Sequence, residues 1–220
     1  PINVDSVFSA YDIVEVNDSL YAMATQGLNP DSFAGFILYD KKNDTVIINK
    51  EYNISGVETN GLFGSILKTI DHGLLFGGYT SAFGTGSYKK DWLLIKTDSL
   101  GNENWIRYYG NPSENDGSII AMLEAQDSTY VLAGGQAICN WSMDPILEAC
   151  LRKVDTVGNL VWERFYRRLD YNHSQEQMRY SSFYFSDIIE LSNGDIVGIT
   201  DFKRADGGTL NILIKIDGNG

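Results

Sequence analysis

The chain has 220 residues, 43% hydrophobic, 12% aromatic and 21% charged, which is enough apolar mass for a sizeable core and too aromatic for a disordered tail. Seventeen basic against 29 acidic residues leave a net charge of -12. That balance argues against nucleic acid as a partner, since phosphate binding needs a basic face. No run of about 18 apolar residues occurs, so no membrane insertion is expected.

Taken in chain order, the elements repeat. A first unit offers a strand at Asp12–Val16, a turn at Asn17-Asp18, an apolar strand at Leu20–Met23, a third strand at Phe36–Asp40 and a fourth at Ile48–Tyr52. The second unit runs Ser65–Thr69, turn Asp71-His72-Gly73, Leu74–Phe76 closed by Gly77-Gly78, then Leu94-Ile95-Lys96-Thr97-Asp98-Ser99-Leu100-Gly101-Asn102 and Trp105–Tyr109. The third runs Ser118–Met122, turn Gln126-Asp127-Ser128, Tyr130–Ala133 closed by Gly134-Gly135, then Leu151-Arg152-Lys153-Val154-Asp155-Thr156-Val157-Gly158-Asn159 and Trp162–Tyr166. The fourth offers Asp187–Leu191, turn Asn193-Gly194, Ile196–Ile199 and the shortened Leu213-Ile214-Lys215-Ile216-Asp217-Gly218-Asn219. The turn residues supply positive φ or side-chain turn bonds at little steric cost.

Asp40, Asp98, Asp155 and Asp217 fall at intervals of 58, 57 and 62 residues. Near-constant periods of this length, each built from four short strands, mean propeller blades. No segment shows helical spacing of apolar residues over two turns. The fold class expected is therefore all-β: a β-propeller, or a fragment of one, of about four blades, each a four-stranded antiparallel meander. The blades are expected near 1–61, 62–117, 118–181 and 182–220, the last incomplete, within a single domain. The chain opens at Pro1 with no initiator Met and closes within a turn at Asp217–Gly220. That leads to the expectation of an excerpt, with further blades or domains on the same polypeptide.

The second unit, with Gly77-Gly78-Tyr79-Thr80-Ser81, Gly84, Gly86, Asp91-Trp92-Leu93-Leu94-Ile95-Lys96, Asp98-Ser99, Gly101-Asn102, Trp105 and Tyr109-Gly110, resembles repeats of secreted β-propeller proteins of Bacteroidota, which often carry a type IX sorting domain. The Asp…Gly…Trp rhythm is also similar to quinoprotein-like propeller repeats. The third unit keeps the Lys-x-Asp turn and the Trp; the first has lost the Gly-Asn turn and the Trp. The resemblance implies a scaffold exported to the cell surface or the medium, and scaffold does not fix function. Asp-Ser/Thr-aliphatic triplets such as Asp18-Ser19-Leu20 and Asp98-Ser99-Leu100 look like the O-glycosylation signal of that bacterial group. Turn residues followed by a strand residue produce the same triplet.

Catalytic motifs are nearly absent. Cys139 and Cys150 lie 11 positions apart with no accompanying metal-ligand spacing, leaving a disulfide or two buried thiols. His72 sits in a turn and His173 in a polar loop, and Gly84-x-Gly86 lacks the third glycine of a phosphate cradle. No cofactor and no metal are expected. The recurrent turn Asp is read as an Asx closure rather than a calcium ligand, and the acidic loop Asn111–Asp116 is a weak cation candidate. A meander puts the tight turns at one end and the long loops, 26–33, 81–90, 110–117, 136–148, 167–184 and 201–209, at the other. Long loops on a rigid scaffold carry binding surfaces. Tyr88, Lys89, Trp141, Tyr171, His173, Phe202 and Arg204 in these loops suit stacking on sugars or anchoring a protein. An extracellular or cell-surface binding module for a glycan or surface protein is expected, with a secreted polysaccharide-active enzyme or a structural spacer as alternatives.

Overall fold

A computed structural model describes residues 7–27, 34–52, 61–81, 90–110, 116–137, 147–166, 183–203 and 209–218. The first sheet takes β1 (Val7–Asn17), β2 (Leu20–Gly27), β3 (Ala34–Asp40) and β4 (Thr45–Tyr52); the second takes β5 (Gly61–Lys68), β6 (Leu74–Thr80), β7 (Asp91–Thr97) and β8 (Glu103–Tyr109). The third is β9 (Ser118–Glu124), β10 (Tyr130–Ala137), β11 (Leu147–Val154) and β12 (Leu160–Tyr166); the fourth is β13 (Phe183–Glu190), β14 (Ile196–Lys203) and β15 (Thr209–Ile216). Every pairing is antiparallel between neighbours in sequence. Four meanders stacked in chain order form a β-propeller, with no helix among the described residues.

Each strand alternates, and the two faces of a sheet feed two different cores. Leu74, Phe76, Leu93 and Ile95 pack with Ala22, Ala24, Phe36 and Leu38 of the first sheet. The intervening Leu75, Trp92 and Leu94 pack with Ile119, Tyr130, Leu132 and Cys150 of the third. Val131, Ala133, Ala149 and Leu151 then meet Phe185, Ile188, Ile196 and Ile216 of the fourth. A strand buried on both sides reads as a continuous apolar run, which is why β3, β6 and β7 are buried along nearly their whole length.

All four opening strands carry a bulge. Tyr11, Gly64, Ile120 and Ser186 are the extra residues in the pairings of β1, β5, β9 and β13 with the strands that follow. A bulge bends and twists the strand. A second bulge, at Ile47, Asn104 and Val161, precedes Ile48, Trp105 and Trp162 in the closing strands.

At the tight-turn end the sheets are tied together by a repeated set of bonds. Asp98 and Asp155 close their turns as expected, accepting from the amides of Leu100 and Asn102 and of Val157 and Asn159. These turns also serve the preceding sheet. The Tyr52 hydroxyl donates to the Gly101 carbonyl (2.8 Å), and the Tyr109 hydroxyl to that of Gly158 (2.8 Å). Trp105 Nε1 donates to Thr156 O (3.2 Å). In the opposite sense, Glu124 accepts from the Ile70 amide of the preceding sheet, and Glu190 from the Gln126 amide. Within sheets two to four, a third-strand lysine pairs with an acid of the first turn: Lys96–Asp71, Lys153–Asp127 and Lys215–Asp195. Thus the Lys-x-Asp signature is part turn closure and part strut.

Candidate functional site

The meander places the tight turns at one end, so the starts of β7, β9 and β11 lie at the other, long-loop end. Charge gathers there, between the second and third sheets. Asp91 opens β7, Asp116 immediately precedes the Gly117 that leads into β9, and Glu148 follows Leu147 at the start of β11. All three are buried. Arg152, also buried, stands on β11 where its counterpart in the second sheet is Ile95, since Lys96 and Lys153 occupy equivalent register positions.

Trp92 is the centrepiece. Its Nε1 donates to the carbonyls of Asp116 (2.6 Å) and Gly135 (3.1 Å), which satisfies the one polar atom of a fully buried ring. The Arg152 guanidinium lies 4.4 Å from that ring's centroid. Arg152 also donates through Nε to Glu163 (3.2 Å) and through Nη2 to Gln136 Oε1 (2.8 Å). The Asp116 amide donates to Lys90 O (2.6 Å), pinning the segment before β9 to the start of β7.

Asp91 and Asp116 face each other across Gly110. A Cβ added at Gly110 would lie 2.4 Å from Asp91 Oδ1 and 2.4 Å from Asp116 Oδ2, so a larger residue would have to push the two carboxyl groups aside. Burial pushes the Asp91 carboxyl up from its ordinary value, opposed by a hydrogen bond with Asp116 and by the charge of Arg152. The two carboxyl groups thus lie close together, with the Arg152 charge acting on Asp91. Beside them, Lys90 Nζ sits 3.8 Å from the Tyr79 ring centroid, and burial lowers its pKa. Cys150 carries a free, fully buried thiol whose pKa burial pushes up to about 12; such a thiol is inert. The cluster can accept and donate hydrogen bonds to hydroxyl groups and can hold or release a proton. Among the described residues no three metal-ligating side chains converge.

Most of the residues expected to bind fall elsewhere. Tyr88, Lys89, Trp141, Tyr171, His173 and Arg204, with Cys139, lie outside the described residues. Phe202 lies on β14, its backbone opposite Phe183 and Leu210. What sequence reasoning passed over was the buried charge at the starts of β7, β9 and β11. Asp91 was visible only as the first residue of the Asp91–Lys96 run and Asp116 as the last residue of the acidic loop. The clearest overlooked signal is Arg152, a charge in the slot that Ile95 fills one unit earlier.

No protein-family model matches the chain, and no curated protein does. Among solved structures, a protein of unknown function from Dyadobacter fermentans is similar at 11% identity and TM-score 0.63, over 99% of this chain and 68% of that one. A protein of unknown function from Bacteroides caccae is similar at 10% identity and TM-score 0.49, over 91% of this chain, which spans only 59% of that protein's length. An α-L-arabinanase from Cellvibrio cellulosa is similar at 12% identity and TM-score 0.49, over 96% of this chain and 73% of that one. At these identities the Dyadobacter likeness bears on fold alone.

Proposed function

We propose that this chain is an extracellular or cell-surface binding module, exported by a type IX-like route, whose ligand meets the long-loop end. The ligand is a glycan or a surface protein, and Tyr88, Lys89, Trp141, Tyr171, His173, Phe202 and Arg204 are its proposed contacts. One observation carries the reading. The buried carboxyl groups among the described residues, with Arg152, all gather at the long-loop end of one interface between sheets. Burying charge costs more than burying the aliphatic residue the fold accepts at the same slot, and a buried charged cluster with a perturbed carboxyl is a functional-site candidate.

The test is a binding screen against glycan and surface-protein panels with the parent, Tyr88→Ala, Trp141→Ala and Asp91→Asn. A loss of about tenfold or more in affinity at unchanged melting temperature is expected. Equal binding by parent and variants removes the reading, and binding to neither panel leaves a structural spacer. The hydrogen-bonded Asp91–Asp116 pair favours one further reading, a polysaccharide-active enzyme that uses the pair as proton donor and acceptor. Turnover on a polysaccharide panel, abolished in Asp91→Asn, would support it.

A further inference from the structure

We propose that the outward face of the fourth sheet seats a further four-stranded sheet of this same repeat, carried by the same polypeptide. The face continues three interfaces already described. Register places Leu213 on β15 where Phe36, Leu94 and Leu151 stand on β3, β7 and β11. Those three are fully buried under the next sheet, and Leu213 is 73% exposed. Its neighbours across the face are Val197 and Ile199 of β14 and Ile189 of β13, the last 56% exposed. An apolar stripe in this arrangement is the half-interface that every earlier sheet presents to its successor.

The polar struts agree. The side chain of Lys96 is 3% exposed and that of Lys153 10%, because the following sheet covers both; the side chain of Lys215 is 61% exposed while keeping the same pair with Asp195. Lys153 Nζ also reaches Gly218 O in the turn of the sheet that follows it (3.4 Å), which shows what such a lysine does once covered.

A second copy of this chain, docking through its first sheet, fits less well. The bonds that tie an opening strand back to its predecessor are made by Glu124 and Glu190 in sheets three and four, and in sheet two by the Ile66 amide, which donates to Asp12 Oδ2. In the first sheet the opening strand ends in Asn17, whose side chain is engaged with the amides of Ser19 and Leu20. The first sheet's outward side is also laced with its own Lys41–Glu15 ion pair. The occupant that fits is a regular unit like sheets two to four.

Hydrogen–deuterium exchange tests this directly, comparing the product of the complete gene with the 220-residue chain at several concentrations. Expected is roughly 100-fold or greater slowing of the Ile196–Thr200 and Thr209–Ile216 amides in the complete product, since a sheet laid over the face of β14 and β15 raises their opening free energy. Leu213→Glu is expected to lower the melting temperature of the complete product by about 5 °C or more and to leave the 220-residue chain within about 1 °C. Equal exchange in both proteins, or a complete gene that supplies no further unit, overturns the proposal. So does concentration-dependent protection of β15 in the 220-residue chain, which would assign the face to a second copy.

Discussion

Two glycines show how much one position can carry. Gly101 and Gly158 hold φ of 76° and 82°, a region costly for other residues, and each offers its carbonyl to a tyrosine of the preceding sheet. A Cβ at Gly158 would lie 2.6 Å from Arg107 Cγ and 3.0 Å from the Trp105 ring. Gly194 has φ 83° with nothing within 4 Å. Gly194→Ala is therefore expected to cost about 1 kcal/mol from backbone strain alone, and Gly158→Ala about 2–3 kcal/mol, with the displaced neighbours added. Urea unfolding of the two variants separates these contributions; equal losses would mean that the close approach carries no energy. The turn acids make a second residue-scale prediction. Burial alone would raise Asp71 and Asp127, but Thr69 with Lys96, and Lys153 with Thr129, hold both at about 2 against an ordinary 3.8. A carboxyl depressed on folding adds stability above its unfolded value, lost as pH falls from about 4 to 2. Both side chains are over half exposed, so each contributes less than about 1 kcal/mol after solvent screening. Asp71→Asn with Asp127→Asn should flatten the stability profile across that window and leave its shape above pH 5 unchanged.

At the scale of the strand, what was legible followed the period. β7, β11 and β15 announce themselves through the Lys-x-Asp signature, β3 through the divergent Phe36–Asp40 copy that keeps only the Asp, and every tight turn through its Gly, Asn or Asp. The opening strands were read too short at one end or the other. Asp12–Val16 is only the inner part of β1, and Asp187–Leu191 takes in only the second half of β13 and one residue beyond its end at Glu190. The bulges at Tyr11 and Ser186 explain this, because an extra residue flips the alternation and the half before it no longer continues the pattern. The charged cluster was harder to see, since its members come from four separate strands and their connections and only stacking unites them. Arg152 tests whether that cluster is structural. Arg152→Ile restores the residue found at position 95 but strips the carboxyl groups around it of their cation, and removing one partner of a buried charged set costs about 3–5 kcal/mol. We expect a loss of that size in urea unfolding. A change within about 1 kcal/mol would instead show that the guanidinium is not a structural strut.

Across the whole molecule, three separate cores join four sheets in series, so stability is a sum of sheet terms and neighbour terms rather than one indivisible quantity. Trp92 sits in the middle interface, and Trp92→Ala removes a buried ring and both of its hydrogen bonds, a loss of about 3–5 kcal/mol. Exchange measurements on that variant should show sheets one and two opening separately from sheets three and four; a single cooperative transition would contradict a series arrangement. The reciprocal ties at the tight-turn end have one more consequence. Tyrosine donor and glycine acceptor recur at one interval along the chain, so a DNA segment duplicated in frame over one full period would encode a unit already fitted to both neighbours. Lengthening this architecture therefore takes a single genetic event, whereas a duplication that ended partway through a sheet would leave a hydroxyl without its carbonyl.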